Sequence, residues 1–375
     1  MKKISSMEYN SLVWFVIRAG YLGISLSNLI TISQRDSWLS GIIAMILGLV
    51  PLGIFVYLRN YSDNMNICDL NEHIFGKFGK FLNLFLLIGV FMFVQIAFLD
   101  MVRFINSQFL YSTSSILISL VFIVPLIYGL FKGLNAISRT SLIMFYLIIF
   151  TIIFIILGVI NGVDINNLKP AFLTSPGDIM HGAIILIAYN ILPLFFLLII
   201  PKAKIENYKP KRTLIFYVLA ILSLINAVFL TIGSFGMGLS LLFEYPEFHL
   251  LKKLSIGEFI DRLESLLSME WIIALFILIM IGLYFITTTI KQTFKLNEKT
   301  NKVVILLTCL LLLIINPLVF QTNNSLDVFL RGPMLIIMFF FFFILPIWMI
   351  IGCKLKRIHD KNSRRNQNDN NQNDK

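Results

Sequence analysis

Long apolar runs separated by short polar segments make up almost the whole chain. Each run is about 20 residues long, the length that a helix needs to cross the hydrocarbon core of a bilayer. None alternates as a membrane strand of about 10 residues would. The pattern therefore predicts an all-α integral membrane protein with about ten transmembrane helices. The predicted spans are 11–33, 38–58, 81–103, 114–131, 139–160, 178–200, 213–235, 270–290, 302–321 and 333–352.

The ten spans divide into two halves of five, about 11–160 and 178–352. An odd number of spans in each half inverts the second half in the membrane, as in inverted-repeat transporters. The sequence thus predicts one transporter-like domain over residues 1–352. The polar, low-complexity segment 353–375 is predicted to be a disordered cytoplasmic tail.

Both halves interrupt their first span near its middle. The first span carries Gly20 and Gly23, and glycine permits a helix to unwind. The sixth carries Pro193, which removes a backbone hydrogen bond. At either span alone, small residues that pack helices or a simple proline kink explain the pattern equally well. The matching positions favour two broken helices that hold a ligand. The predicted ligand-binding residues are Gly20, Tyr21, Gly23, Ser25, Tyr189 and Asn190.

Composition supports the membrane assignment, with 58% hydrophobic and 14% charged residues. The formal net charge of +11 has a topological explanation. With the N-terminus in the cytoplasm, cytoplasmic segments hold 23 of the 31 Lys and Arg residues and the opposite side holds 7. This bias predicts that both termini are cytoplasmic and leaves no need for a nucleic-acid partner. The three scattered cysteines and the lack of enzyme signature motifs predict no enzyme, cofactor or metal site.

Ionisable residues inside predicted spans are candidates for function. Arg18 either reaches the inner headgroups or acts as a gate or counter-charge below the ligand site. Asp100 and Arg103 share a helix face at spacing i, i+3 and are predicted to form a structural pair. Glu270 and Trp271 are placed at the outer interface, which leaves the centres of spans 1, 5, 6 and 8 without a carboxylate. The segment 254–271 is predicted to be an amphipathic surface helix, either interfacial or a lid or partner-docking surface.

Three segments resemble the B subunit of nutrient germinant receptors from endospore-forming bacteria. They are RAGYLGISLSNLITISQRDSWLSGII (18–43), CDLNEHIFGKFGK (68–80) and FEYPEFHLLKKLSIGEFIDRLESLLSMEW (243–271). The resemblance extends over residues 5–350. It implies the LeuT-like fold of the amino acid–polyamine–organocation superfamily and a place in the spore inner membrane. It also implies A and lipoprotein C subunits as partners, and a nutrient germinant, commonly an amino acid, whose binding helps to trigger ion release.

One departure from that family concerns helix 6. Members often carry an acidic residue near its middle, where this chain has Asn190, and this difference argues against a cation-linked or amine-binding role of that position. Three functions stay open: a germinant-sensing subunit, a secondary amino acid transporter of the same fold, and a scaffold that binds no ligand. Saturable binding excludes the third, and gradient-driven accumulation separates the second from the first.

Overall fold

The computed structural model describes residues 3–159, 162–253, 263–315 and 323–358. The predicted all-α architecture is confirmed. Within the described residues, eight segments are long and apolar enough to cross a membrane. They are Leu26–Tyr61, Lys77–Gln108, Ser115–Lys132, Leu134–Ile153, Pro176–Ile199, Pro210–Leu242, Ser268–Thr293 and Pro333–Ile358.

These segments correspond to the second to eighth and the tenth predicted spans and to the second half of the first span. Leu26–Tyr61 joins the second half of the first span to the second span. The ninth span begins with Glu298–Ile315, and its predicted end lies outside the described residues. The α-helices are α1 (Ser6–Ala19), α2 (Leu26–Ser33), α3 (Ser37–Leu47), α4 (Leu49–Tyr61), α5 (Ile67–Phe75), α6 (Lys77–Gln108), α7 (Ser115–Lys132), α8 (Leu134–Val159), α9 (Pro176–Leu186), α10 (Pro210–Leu242), α11 (Pro246–Lys253), α12 (Leu263–Thr293), α13 (Glu298–Ile315), α14 (Asn323–Arg331) and α15 (Pro333–Phe339).

The first and sixth membrane helices are both broken, as predicted. Helix α1 ends at Ala19 with Gly20 as its C-cap residue, and a π-helical segment, Tyr21–Ser25, connects it to α2. Helix α9 is followed by a second π-helical segment, Ile187–Ile191, and then by a 3₁₀ segment, Leu192–Ile199. Short π-helical segments inside α-helices are frequent at functional sites, because they displace backbone groups from their usual partners.

Helix α1 lies at the centre of the bundle. It packs against α8, α10 and α12, while α12 packs along α6. Helices at the periphery instead expose apolar side chains, such as Val121 and Val124 of α7 and Phe150 of α8, each about two-thirds exposed or more (67–71%). An apolar surface of this kind suits contact with lipid and places the polar chemistry of the protein inside the bundle.

The connection between α10 and α12 differs from its sequence prediction. Its first part forms α11, and residues 254–262 of the predicted surface helix lie outside the described residues. Helix α12 already begins at Leu263 and includes the rest of that predicted helix. At the other end of the chain, the last membrane helix continues to Ile358, so that the predicted tail starts later than residue 353 and its remainder lies outside the described residues.

Candidate functional site

The two helix breaks contact each other directly. Gly20 packs against the backbone of Tyr189, and a Cβ atom at position 20 would lie 2.1 Å from the Tyr189 carbonyl oxygen. Only glycine fits this close approach without moving a backbone segment. Close contact between the breaks therefore explains Gly20 by packing, whether or not a ligand binds there.

Asn190 joins the two breaks by hydrogen bonds. Its Nδ2 donates to the carbonyl oxygen of Ile17 at 2.7 Å, and its Oδ1 accepts from Ser25 Oγ at 3.0 Å. Both side chains are fully buried. Because a helix end leaves carbonyl groups without intrahelical partners, the Asn190 amide satisfies a group at the end of α1. The predicted residues Ser25 and Asn190 are thus brought together.

Tyr189 connects the second break to α14. Its hydroxyl group donates to the Leu330 carbonyl oxygen at 2.5 Å, and its ring stacks on Phe93 with centroids 6.3 Å apart. On the same helix, Arg331 Nε donates to Asn28 Oδ1. Tyr21 and Gly23 lie in the first π-helical segment, so all six predicted ligand-binding residues belong to the two breaks.

Arg18 does not reach the headgroups, and that expectation is wrong. The residue is 5% exposed, and its Nη2 lies 2.6 Å from Oε1 of Glu270, which is 2% exposed. Nη1 donates to Ser223 Oγ at 3.1 Å. The guanidinium carbon lies 5.6 Å from the centroid of the Tyr21 ring, which places Arg18 beside the first break.

Glu270 and Trp271 lie at the start of the membrane segment Ser268–Thr293 and are both buried inside the protein, and their placement at the outer interface stays a prediction. Because α12 begins at Leu263, Glu270 lies seven residues inside it, about 10 Å along the axis. Trp271 is 2% exposed and packs against Phe104, with ring centroids 4.0 Å apart. A carboxylate therefore does lie within the buried bundle, on the eighth predicted span.

Glu247 of α11 adds a second carboxyl group, which sequence analysis did not identify. It is 6% exposed and interacts at short range with Tyr21. Burial raises the pKa of Glu247 to about 8; nearby Arg18 lowers it and Glu270 raises it. We call Arg18, Tyr21, Ser223, Glu247 and Glu270 the Arg18 cluster. Nothing in the local sequence pairs Glu247 with residues of α1, because only tertiary packing brings α11 to the first break.

Several buried polar atoms of the Arg18 cluster have no hydrogen-bond partner among the described residues. A buried polar group without a partner is destabilising, and such groups are uncommon in folded proteins. In a binding protein, atoms of this kind mark where a ligand or water completes the site. The four atoms are Arg18 Nε, Tyr21 Oη, Glu247 Oε2 and Glu270 Oε2.

Asp100 lies buried near the end of α6. Its Oδ2 has no hydrogen-bond partner in the described part of the chain, and Arg103 acts on its carboxylate electrostatically. The structural pairing of Asp100 with Arg103 stays a prediction. Across the described residues, no group of three or more His, Cys, Asp or Glu side chains is placed to hold a metal ion.

A second buried arginine, Arg59, connects several helices at the end of the bundle where the N-terminus lies. Arg59 donates to the carbonyl oxygens of Leu197 and Ile200, the latter at 3.1 Å. Its guanidinium carbon lies 4.6 Å from the centroid of the Tyr9 ring and near the rings of Phe55 and Tyr208. We call Arg59, Tyr9, Phe55 and Tyr208 the Arg59 cluster. It fixes the end of the broken sixth helix to α1 and α4.

Backbone hydrogen bonds near the Arg59 cluster also connect the N-terminal segment to the residues that follow the broken sixth helix. The amide nitrogen of Ile4 donates to the Lys204 carbonyl oxygen at 2.9 Å, and the amide of Glu206 donates back to Ile4 at 2.8 Å. The sequence before α1 is therefore held against the segment that follows the broken sixth helix.

Comparison with solved structures places this architecture among membrane transporters. A Na⁺-coupled sialic acid symporter in a substrate-bound outward-open state matches with a TM-score of 0.61 and 14% identity, over 91% of this chain and 79% of that chain. Mhp1, a nucleobase-cation-symport-1 family transporter, matches with a TM-score of 0.56 and 14% identity over 92% of this chain and 79% of that one. These likenesses establish the LeuT-like fold with its broken first and sixth helices.

Sequence comparison identifies relatives in spore-forming bacteria. Spore germination protein A2 of Bacillus subtilis is 30% identical over 226 residues, 58% of this chain and 59% of that protein. Spore germination protein XB of Bacillus anthracis is 22% identical over 315 residues, 81% of this chain and 88% of that protein. These relatives and the solved structures are not enzymes. The family model described as spore germination protein matches residues 3–325, and the chain therefore belongs to the spore germination protein family.

Proposed function

We propose that this chain is the transporter-like, ligand-sensing subunit of a spore germinant receptor. It binds a nutrient germinant, an amino acid, at the contact between the two helix breaks and helps to trigger germination. Family membership and the transporter fold support this proposal. The observation that carries it is the direct contact of two buried breaks at Gly20 and Tyr189, because such breaks hold substrates in inverted-repeat transporters.

The proposed contact for the ligand carboxylate is the backbone of the first break, which leads into α2. Its N-cap residue is Ser25, whose side chain makes no capping hydrogen bond. The single hydroxyl proton is instead shared between two acceptors, the Tyr21 carbonyl oxygen at 3.2 Å and Asn190 Oδ1 at 3.0 Å. The backbone amide of Ser25 donates to the Gly20 carbonyl oxygen at 3.1 Å and that of Leu26 donates to the Tyr21 carbonyl oxygen, so a ligand carboxylate must replace these π-helical bonds to be held here. In this proposal the backbone at Gly20–Gly23 holds the ligand carboxylate, and Tyr189 and Asn190 line the opposite wall.

The proposal extends to location and partners. The chain lies in the spore inner membrane with both termini in the cytoplasm, beside the A subunit and the lipoprotein C subunit. The asymmetry of Lys and Arg residues supports this orientation. Co-purification of an affinity-tagged chain with the A and C subunits from spore membranes is the expected outcome.

Germination of spores that lack this chain tests the proposal. Spores are exposed to single amino acids, sugars and nucleosides, and germination is followed as loss of refractility. We expect one nutrient to fail while vegetative growth and uptake of that nutrient stay normal. Normal germination with every nutrient, in a strain without redundant receptors, contradicts the proposal.

A matched pair of glycine substitutions locates the ligand. Gly23→Leu in the first break is expected to abolish the response to that nutrient by filling the site. Gly53→Leu in α4 is the control, because open space surrounds a Cβ atom there. An unchanged response in a normally assembled Gly23→Leu receptor contradicts this location.

A secondary amino acid transporter of the same fold is the alternative. It is favoured by the similarity to a Na⁺-coupled symporter, although that similarity shows the fold alone. Uptake into vesicles that contain only the purified chain separates the two functions. Accumulation driven by an ion gradient supports the transporter, and saturable binding without accumulation supports the sensor.

A further inference from the structure

The Arg18 cluster holds more acidic than basic groups. Among the described residues it contains two carboxyl groups, Glu247 and Glu270, and one guanidinium group, Arg18. The ion pair uses Oε1 of Glu270, whereas Oε2 of each glutamate has no hydrogen-bond partner in the described residues. Each of the three side chains is more than nine-tenths buried. With both glutamates ionised, the described part of the cluster would therefore carry a net charge of −1, which one further positive charge would neutralise.

A proton can supply that charge when no ligand is present. A carboxylate without a partner in a buried site is strongly destabilised, so it takes up a proton instead. The titratable and charged groups that act on Glu247 are Arg18 on α1, Tyr21 in the break and Glu270 on α12. Burial and Glu270 raise the pKa of Glu247, Arg18 and Tyr21 lower it, and the net pKa is about 8, so that the carboxyl group is mostly protonated at neutral pH.

The available atoms suit a primary ammonium group better than a metal ion. Ca²⁺ takes about six to eight oxygen ligands, and no group of three or more candidate ligands is placed for a metal in the described residues. An ammonium group instead needs about three acceptors, one for each N–H. Glu247 Oε2, Glu270 Oε2 and the Tyr21 hydroxyl oxygen are three buried oxygens of this cluster without a hydrogen bond among the described residues, and Tyr21 also interacts with Glu247 at short range.

We propose that the Arg18 cluster is the subsite for a primary ammonium group of the germinant, which binds between Glu247 and Glu270 and displaces the proton of Glu247. The proton leaves to solvent, and the ammonium ion replaces its charge. This inference rests on the proposed function, since it takes the ligand of the chain to be the germinant. It assigns amine recognition to side chains of α11 and α12 and not to Asn190, whose amide makes the hydrogen bonds between the two breaks.

Binding of ethylammonium to the purified full-length chain in lipid nanodiscs tests the subsite. Propionate serves as the matched carboxylate without an amine. Affinity is measured at pH 7 and pH 9 from the concentration dependence of thermal unfolding. Since Glu247 must lose its proton, ethylammonium should bind about tenfold more tightly at pH 9 than at pH 7. Propionate should show no such increase. Equal ethylammonium affinity at the two pH values overturns the inference.

Two variants show whether Glu247 causes the pH dependence. Glu247→Gln keeps the shape of the side chain without a titrating proton, and it should lose the tenfold ratio. Glu244→Gln, three residues earlier and outside the Arg18 cluster, should keep it. An unchanged ratio in Glu247→Gln overturns the inference. If Glu247→Gln does not fold, the ratio in the unaltered chain and in Glu244→Gln still decides the question.

The spore assay separates failure of this inference from failure of the proposed function. If spores without the chain lose the response to one nutrient but ethylammonium does not bind, the function stands and the subsite is wrong. If ethylammonium binds with the expected pH ratio but every nutrient still triggers germination, the subsite stands and the proposed function is wrong.

Discussion

Two buried arginines of this protein meet opposite surroundings. Arg59 is 4% exposed and Arg18 is 5% exposed. Arg59 donates to backbone carbonyl oxygens of Leu197 and Ile200 and lies against aromatic rings, and no carboxylate of the described residues forms an ion pair with it. Arg18 instead pairs with Glu270 and lies near Glu247. One arginine has neutral, fixed partners, and the other has partners that can gain or lose protons.

The difference separates a structural contact from a site whose charge can change. Carbonyl groups at a helix end carry partial negative charge that does not vary with pH, so the Arg59 cluster holds its side of the bundle closed in the same way under all conditions. The charge of the Arg18 cluster depends on the protonation of Glu247, and a cation can replace that proton. The Arg59 cluster is therefore expected to act in stability, and the Arg18 cluster in ligand binding.

Among the single substitutions, removing the charge of Arg18 is expected to lower the free energy of unfolding the most. Arg18→Leu leaves the Glu270 carboxylate buried without its counter-charge, which should lower the free energy of unfolding by about 3–5 kcal/mol. The double variant Arg18→Leu with Glu270→Leu removes both charges and should recover most of this loss. Denaturant unfolding of the purified proteins at pH 7 measures both. A double variant no more stable than Arg18→Leu contradicts the importance of the pair.

Removing Arg59 should lower the free energy of unfolding somewhat less than removing Arg18. The loss should come from its backbone carbonyl partners alone, without a contribution from an acidic group. Arg59→Leu leaves the carbonyl oxygens of Leu197 and Ile200 without their donor, an expected loss of about 3 kcal/mol. Arg59→Lys keeps a donor and the charge near the rings, so it should recover part of the loss. The stability difference between Arg59→Leu and the unaltered protein, measured by thermal unfolding, should be the same at pH 6 and pH 9. A deficit that changes with pH shows that an acidic group also acts on Arg59.

The contrast also explains what the sequence could predict. The breaks were predictable because Gly20, Gly23 and Pro193 are local interruptions of otherwise apolar runs. The ion pair between Arg18 and Glu270 was not, because its members lie in opposite halves of the chain. The burial of Glu270 was not predictable either, because only the packing of α6 and α11 against α12 covers the start of its apolar run. Arg59 lies at a span end, where a basic residue is expected for topology alone, so nothing distinguished its buried role.

The pH dependence of stability should distinguish the two clusters. Burial raises the pKa of Glu247 from 4.5 to about 8, so the folded protein keeps a proton that the unfolded chain releases between these pH values. Stability should therefore fall as pH rises through this range, by at most about 1.4 kcal/mol per pH unit, and level off above pH 8. Glu247→Gln should remove this part of the slope.

Glu298→Gln is the matched control for that measurement. Glu298 is exposed, and its partner Lys291 lowers its pKa, so its titration lies below the range of Glu247. The variant should keep the slope of the unaltered protein between pH 6 and pH 8, measured by thermal unfolding. Equal slopes in Glu247→Gln and Glu298→Gln show that another group carries the dependence.

The smallest effect is expected at Ser223, the neutral partner of Arg18. Ser223→Ala removes an acceptor 3.1 Å from Nη1 but leaves the bond from Nη2 to Glu270. Because Arg18 keeps its charged partner, the expected loss in the free energy of unfolding is that of one neutral hydrogen bond, about 1 kcal/mol or less. The pH dependence of ethylammonium binding should stay unchanged, since no charge is altered. A loss as large as that of Arg18→Leu means that the neutral bond, and not the pairing with Glu270, holds Arg18 at the break, and the contrast with Arg59 then disappears.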